Sequence, residues 1–200
     1  MSQTCDILTD TQSYESSYHA LRGVTRPIFD SFVLGTVTHA PSFLAARGVI
    51  GSPAFPIFNA DGIFVGWGFR TDNPDFKYYY YQATTSDNLY GLPQAIPAIL
   101  EHDSVIVVEG FYDVLLAHSA GITNVVGAFS NALSKQQILI LSTFTNNLKL
   151  AFDSDNAGLS GVESTKRWAK QLVPDINVTD HMIFPHHDFC DYALTRLQHG

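Results

Sequence analysis

The sequence predicts an α/β protein: a parallel-sheet domain over residues 104–200, preceded by a small mixed α+β subdomain over residues 1–103. Three observations predict it. Two short apolar runs, Val105-Ile106-Val107-Val108 and Leu148-Lys149-Leu150-Ala151-Phe152, each end just before a group of carboxylates. Runs of that length in an alternating strand/helix context read as buried parallel strands. Helix-length and strand-length segments alternate regularly after residue 104, with short loops between them. By contrast, residues 51–100 are rich in aromatic and β-branched residues around a turn signal.

Taken in order, residues 1–50 read as mostly helical, with Arg22-Gly23 and Arg47-Gly48 as turn signals. Tyr18–Gly23 forms a helix with a glycine stop, and Pro27–Phe32 begins a second. Phe55–Phe58 and Ile63–Arg70 flank Asn59-Ala60-Asp61-Gly62, and Asp-Gly is a strong hairpin cue. The run Tyr78-Tyr79-Tyr80-Tyr81 has two readings, stacking on single-stranded bases or period-2 packing in a strand. Beyond residue 104, strand Val105–Val108 leads to helix Tyr112–Ala120, stopped by Gly121. A short strand near Asn124–Val126, helix Ser134–Leu141 and strand Leu148–Phe152 follow. Helix Asn156–Leu172 has Asn156 as its expected N-cap and Pro174 just past its end, before a strand near Val178–Phe184 and helix Asp188–Leu197.

Composition narrows the classes. With 46% hydrophobic and 15% charged residues the chain is globular, not disordered. No apolar run approaches the roughly 20 residues of a membrane span, and the polar start is neither a signal nor a transit peptide. Cys5 and Cys190 lie near opposite ends, so no disulfide framework is expected, and a cytoplasmic location follows. His186 and His187 beside Cys190 lack the further ligands of a zinc site, so no zinc is expected. The net charge of −8 is uneven. Residues 1–104 hold five Lys/Arg against ten Asp/Glu, and the remainder six against nine, of which six are the candidate site acids. Nucleic-acid contact would therefore rest on a few local cations and be sensitive to salt.

The acids carry the chemistry. Glu109 and Asp113 follow the first apolar run, and Asp153 and Asp155 follow the second. Ligands bind outside the carboxyl ends of strands in such sheets. Four carboxylates at one edge would repel unless a divalent cation sat among them, and Mg2+ (or Mn2+) takes carboxylate oxygens, waters and substrate phosphates. Asp113, four residues after Glu109, lies one helical turn away and close to it, which makes it a candidate catalytic acid beside the metal. Alternation along an extended chain points Asp153 and Asp155 the same way. Asn156-Ala157-Gly158 then opens a helix whose N-terminus favours phosphate. Asp188 and Asp191 form a third acidic group, with Asp188 alternatively a helix N-cap.

Glu109-Gly110-Phe111-Tyr112-Asp113 and Asp153-Ser154-Asp155-Asn156-Ala157-Gly158 resemble the paired signatures of the TOPRIM domain, shared by DnaG-type primases, topoisomerases, and some nucleases and repair proteins. The upstream half resembles the small subdomain of DnaG-type primases. It has the Phe55–Arg70 hairpin, then Phe76-Lys77-Tyr78, then Leu89-Tyr90-Gly91-Leu92, with a loose match from Tyr18 to Gly35. That resemblance implies a primase catalytic core making short RNA primers on single-stranded DNA from ribonucleoside triphosphates. It implies Glu109 as acid/base or positioning group and Asp153, Asp155, Asp188 and Asp191 as holders of Mg2+, which would activate the 3′-hydroxyl and stabilise the pyrophosphate. Arg70, Lys77 and Tyr78 would meet template or triphosphate. Thr85 stands where the family has a further Lys. The implied partners are a replicative helicase and a separate zinc-domain or template-recognition protein, since the chain shows neither module, an economy that fits a phage. The alternatives are a TOPRIM-type metal-dependent nuclease and a non-catalytic replication module that binds DNA or a partner.

Overall fold

A computed structural model describes residues 7–73, 76–180 and 189–199. The chain divides into two compact units. The first comprises residues 1–57 and 65–83, and the second residues 58–64 and 84–200.

The first unit is built on a five-stranded sheet. Its strands β1 (Leu8–Asp10), β2 (Gly35–His39), β3 (Pro53–Phe58), β4 (Phe64–Arg70) and β5 (Tyr78–Tyr81) lie side by side in chain order. Helices α1 (Tyr18–Leu21), α2 (Arg26–Ser31) and α3 (Ser42–Ala45) are short. The expectation that residues 1–50 are mostly helical is corrected here, because two strands lie among them. Gly35-Thr36-Val37-Thr38-His39 holds three β-branched residues with Val37 buried, and it is drawn into the sheet by pairing with β1 and β3. The Asp-Gly turn forms as read: the Asn59 side chain accepts from the Asp61 and Ile63 N–H groups, and Gly62 takes φ 75°. His19 is fully buried between Phe29 and Phe55 and bonds the Gly35 carbonyl through Nε2 at 3.3 Å. Burial lowers its pKa to about 4.

The second unit holds a parallel sheet in the order β7-β6-β8-β9, formed by β6 (Val105–Val108), β7 (Val125–Gly127), β8 (Asn147–Leu150) and β9 (Asn177–Asp180). The connecting helices are α4 (Leu92–His102), α5 (Phe111–Ser119), α6 (Lys135–Ser142) and α7 (Asn156–Leu172), with α8 (Phe189–His199) last. Helix α4 belongs to this unit although the expected boundary fell after it. Its Leu92, Ala95 and Ile99 pack in one core with Val105, Val107, Leu148 and Leu150. The boundaries of α5, α6, α7 and α8 fall within a residue or two of those expected, whereas α4 lies largely in the segment expected to be β-rich. The cap of α7 differs: Asp155, not Asn156, is the N-cap, its Oδ1 accepting from Gly158 N–H at 2.8 Å. A charged acceptor at a helix N-terminus gains from both the free N–H groups and the dipole, so the carboxylate wins the position. Of the expected strand near Val178–Phe184, residues 178–180 lie in β9, and residues 181–184 lie outside the described residues.

Candidate active site at the switch point

The strand order creates the site. From β6 the chain moves to β7 on one side, then crosses back to β8 on the other. Their carboxyl ends therefore border the crevice where an open α/β sheet binds ligands. Register places Val105 opposite Leu148 and Val107 opposite Leu150, and the Ala151 N–H still pairs with the Val107 carbonyl at 2.8 Å. Glu109 and Asp153 are brought together as a result: Glu109 Oε1 accepts from the Asp153 backbone N–H at 2.9 Å.

The turn after β6 is held by its own sequence. Gly110 is the N-cap of α5, and its N–H donates to Asp113 Oδ2 at 2.9 Å. Asp113 is half-buried, and its other oxygen accepts from Cys190 Sγ at 2.9 Å. Asp153 and Asp155 are exposed, in the loop between β8 and α7. They do not sit on an extended strand as the alternation argument supposed, because β8 ends at Leu150. The pKa of Glu109 is raised, first by burial and also by the negative charges of Asp113 and Asp155, against the lowering effect of the Asp153 N–H. Asp191 is exposed in the first turn of α8, and Asp188 lies outside the described residues, as do His186 and His187.

Gly158 closes the second acidic signature, and the structure gives it a packing role that the motif does not spell out. It is buried in the first turn of α7, and a Cβ there would run into the Asp153 carbonyl oxygen. Only glycine lets the helix pass so close behind the acidic loop. Its place directly after Asp153–Ala157 was the sequence signal.

The first unit gathers its own cationic and aromatic group. The Arg70 guanidinium lies 5.3 Å from the Tyr18 ring centre and 5.8 Å from that of Tyr78, and Nη1 donates to the Tyr78 hydroxyl at 3.4 Å. Lys77 Nζ stands 5.8 Å from the same ring. Arg70, Lys77 and Tyr78 are thus brought together, with Tyr18 as a member the site reading did not include. The tyrosine run divides by strand alternation. Tyr79 and Tyr81 pack against the cluster of Val37, Leu44 and Phe69, while Tyr78 meets Phe55 and Arg70. Packing therefore accounts for Tyr79 and Tyr81 and engages Tyr78 as well. Thr85 opens a single 3-10 turn, Thr85–Asp87, in the second unit, and its carbonyl accepts from Gln137 Nε2 at 3.0 Å.

Residues 106–193 match the family described as Toprim-like. The DNA primase of Synechococcus elongatus is 39% identical over 115 residues, which are 54% of this chain and 17% of that protein. In fold, the zinc-binding and RNA polymerase domains of the Aquifex aeolicus primase superpose with a TM-score of 0.76 at 23% identity, covering 90% of this chain and 53% of that one. A DnaG primase catalytic domain bound to single-stranded DNA gives a TM-score of 0.73 at 19% identity, covering 94% and 72%. The fold is that of the DnaG-type primase catalytic core, with a Toprim-like domain as its second part. The chain spans about a fifth of the length of the curated primases it matches.

A Toprim-like fold implies a divalent metal ion, and the donors fit one. Glu109, Asp153 and Asp155 offer the hard carboxylate oxygens such a cation takes. Burial first, and then the charges of Asp113 and Asp155, raise the pKa of Glu109, and a cation beside it would favour its charged form. Among the described residues no three His, Cys, Asp or Glu side chains gather closely enough to hold an ion by themselves.

Proposed function

We propose that this chain is the catalytic core of a DnaG-type DNA primase, joining ribonucleoside triphosphates into short RNA primers on a single-stranded DNA template. The observation that carries this reading is the pairing of Glu109 with the Asp153 loop at the β6–β8 switch point, in a chain with the primase-core fold. Mg2+ is the cation proposed, held by Glu109, Asp153 and Asp155 with Asp188 and Asp191 as further candidates; when bound it supplies Lewis-acid stabilisation of the phosphoryl oxygens. Glu109, with its raised pKa, is suited to hold or take a proton at its carboxylate near the attacking hydroxyl. The Asp153 N–H fixes one oxygen of that carboxylate, so its orientation is set before substrate arrives. Asp155 caps α7 and keeps the positive end of a 17-residue helix beside the acidic loop, favourable ground for phosphate. Arg70 and Lys77 neutralise template or triphosphate charge, and Tyr78 orients Arg70.

The proposed setting is cytoplasmic, with a replicative helicase and a separate template-recognition protein as partners. No helix among the described residues is long and apolar enough to cross a membrane. Primer synthesis on single-stranded DNA with labelled ribonucleotides and Mg2+, comparing the wild type with Asp153→Ala, tests the reading. Short RNA products that vanish in the variant are expected. Strand scission in place of synthesis, or no product even with helicase and a zinc-domain protein added, would overturn it.

A further inference from the structure

Cys190 ties helix α8 to the acidic centre. Cys190, the second residue of α8, donates its Sγ–H to Asp113 Oδ1, while Asp113 Oδ2 accepts the Gly110 N–H, both at 2.9 Å. Asp113 therefore acts as a clamp between two elements far apart in sequence. On one side is the turn that follows Glu109, and on the other is α8, anchored by the buried Phe189 and Ala193. The clamp is closely fitted: a Cβ at Gly110 would stand 3.1 Å from Asp113 Oδ2. A thiol is a weak donor, but an ionised acceptor strengthens the bond.

We propose that Cys190 is a positioning residue for the acidic centre: through Asp113 it fixes the Glu109–Gly110 turn and thereby sets how tightly the centre holds a divalent cation. This deepens the metal-dependent reading given above and rests on it. A partner that orients a ligand without touching the ion characteristically sets affinity by tenfold or more. A thiol donor belongs at the low end of that range.

The test uses the full chain with Cys190→Ala, Cys190→Ser and Cys190→Asn. Mn2+ affinity is measured by calorimetry, Gly110 amide exchange by NMR, and unfolding temperature as a check on folding. In Cys190→Ala, Mn2+ should bind about tenfold more weakly and the Gly110 amide should exchange faster, with the unfolding temperature little changed. Serine and asparagine, which keep a donor, should restore both readouts. The proposal is overturned if alanine matches the wild type in Gly110 exchange and Mn2+ affinity, or if serine and asparagine lose as much as alanine. A wild type that makes no primers would sink the primase reading alone, because exchange and Mn2+ binding are read without synthesis. A wild type that binds no Mn2+ would overturn the statement about cation affinity.

Discussion

Glu109 offers the sharpest test of the site, because two substitutions separate its charge from its hydrogen bond. Glu109→Gln keeps an acceptor for the Asp153 N–H and removes the charge, whereas Glu109→Ala removes both. The difference between the variants is therefore the hydrogen bond. At this half-buried carboxylate that is about 1 kcal/mol, or roughly 2–4 °C in a chain of this size. Removing the charge acts in the other direction. The carboxylate is raised in pKa by burial and by Asp113 and Asp155, so the folded protein binds a proton more readily than the unfolded chain. The wild type therefore loses stability as pH rises from the ordinary value of 4.5 through the raised folded value. The glutamine variant does not lose stability in this way. Thermal unfolding in chelator should rank Glu109→Gln above both the wild type and Glu109→Ala at pH 7. The gap between glutamine and wild type should close as pH falls toward 4. Added Mn2+ should raise the wild type and leave the glutamine variant nearly unmoved. A glutamine variant less stable than wild type at pH 7, or a gap independent of pH, would refute the reasoning.

Gly158→Ala forces a Cβ into the Asp153 carbonyl, so denaturant unfolding should show a loss of about 1–3 kcal/mol together with weaker Mn2+ binding. His118 is buried against the Val125 carbonyl with a pKa lowered to about 4 by burial, and His19 behaves likewise. Their folded forms stay neutral while the unfolded chain takes up protons. Stability should therefore fall between about pH 6.5 and 4 by up to ~1.4 kcal/mol per pH unit for each histidine, and His118→Gln should flatten the slope measured by urea titration. Arg70→Ala should weaken binding of a fluorescent single strand and reduce the slope of log affinity against log salt by about 0.7. An unchanged slope would remove Arg70 from phosphate contact.

Much of the second unit was legible in advance because its signals are local. Four apolar residues followed by Glu109-Gly110 make a buried strand and a turn whatever lies beside them, and Ser134 with Gln137 writes its capping box into three residue spacings. Among the first fifty residues α1 and α2 form where expected, but the strands were not foreseen, because the elements there are only three to six residues long. Such pieces carry less than two turns of periodicity, so Gly35–His39 became a strand by pairing with β1 and β3 rather than by its own pattern. The choice of Asp155 over Asn156 as cap was equally hard to read, since the two stand side by side and both residue types are good N-caps.

The sequence by itself determined which acids stand at strand ends, where the hairpin turns, and that cations are few and local, because residue type and spacing set these through backbone geometry alone. Only the tertiary structure decided that β6 and β8 are neighbours, that Glu109 takes the Asp153 N–H, that Gly158 must lack a side chain, and that Cys190 reaches Asp113. Each of these depends on contacts between residues distant in the chain, and such contacts exist only once the sheet has chosen its order.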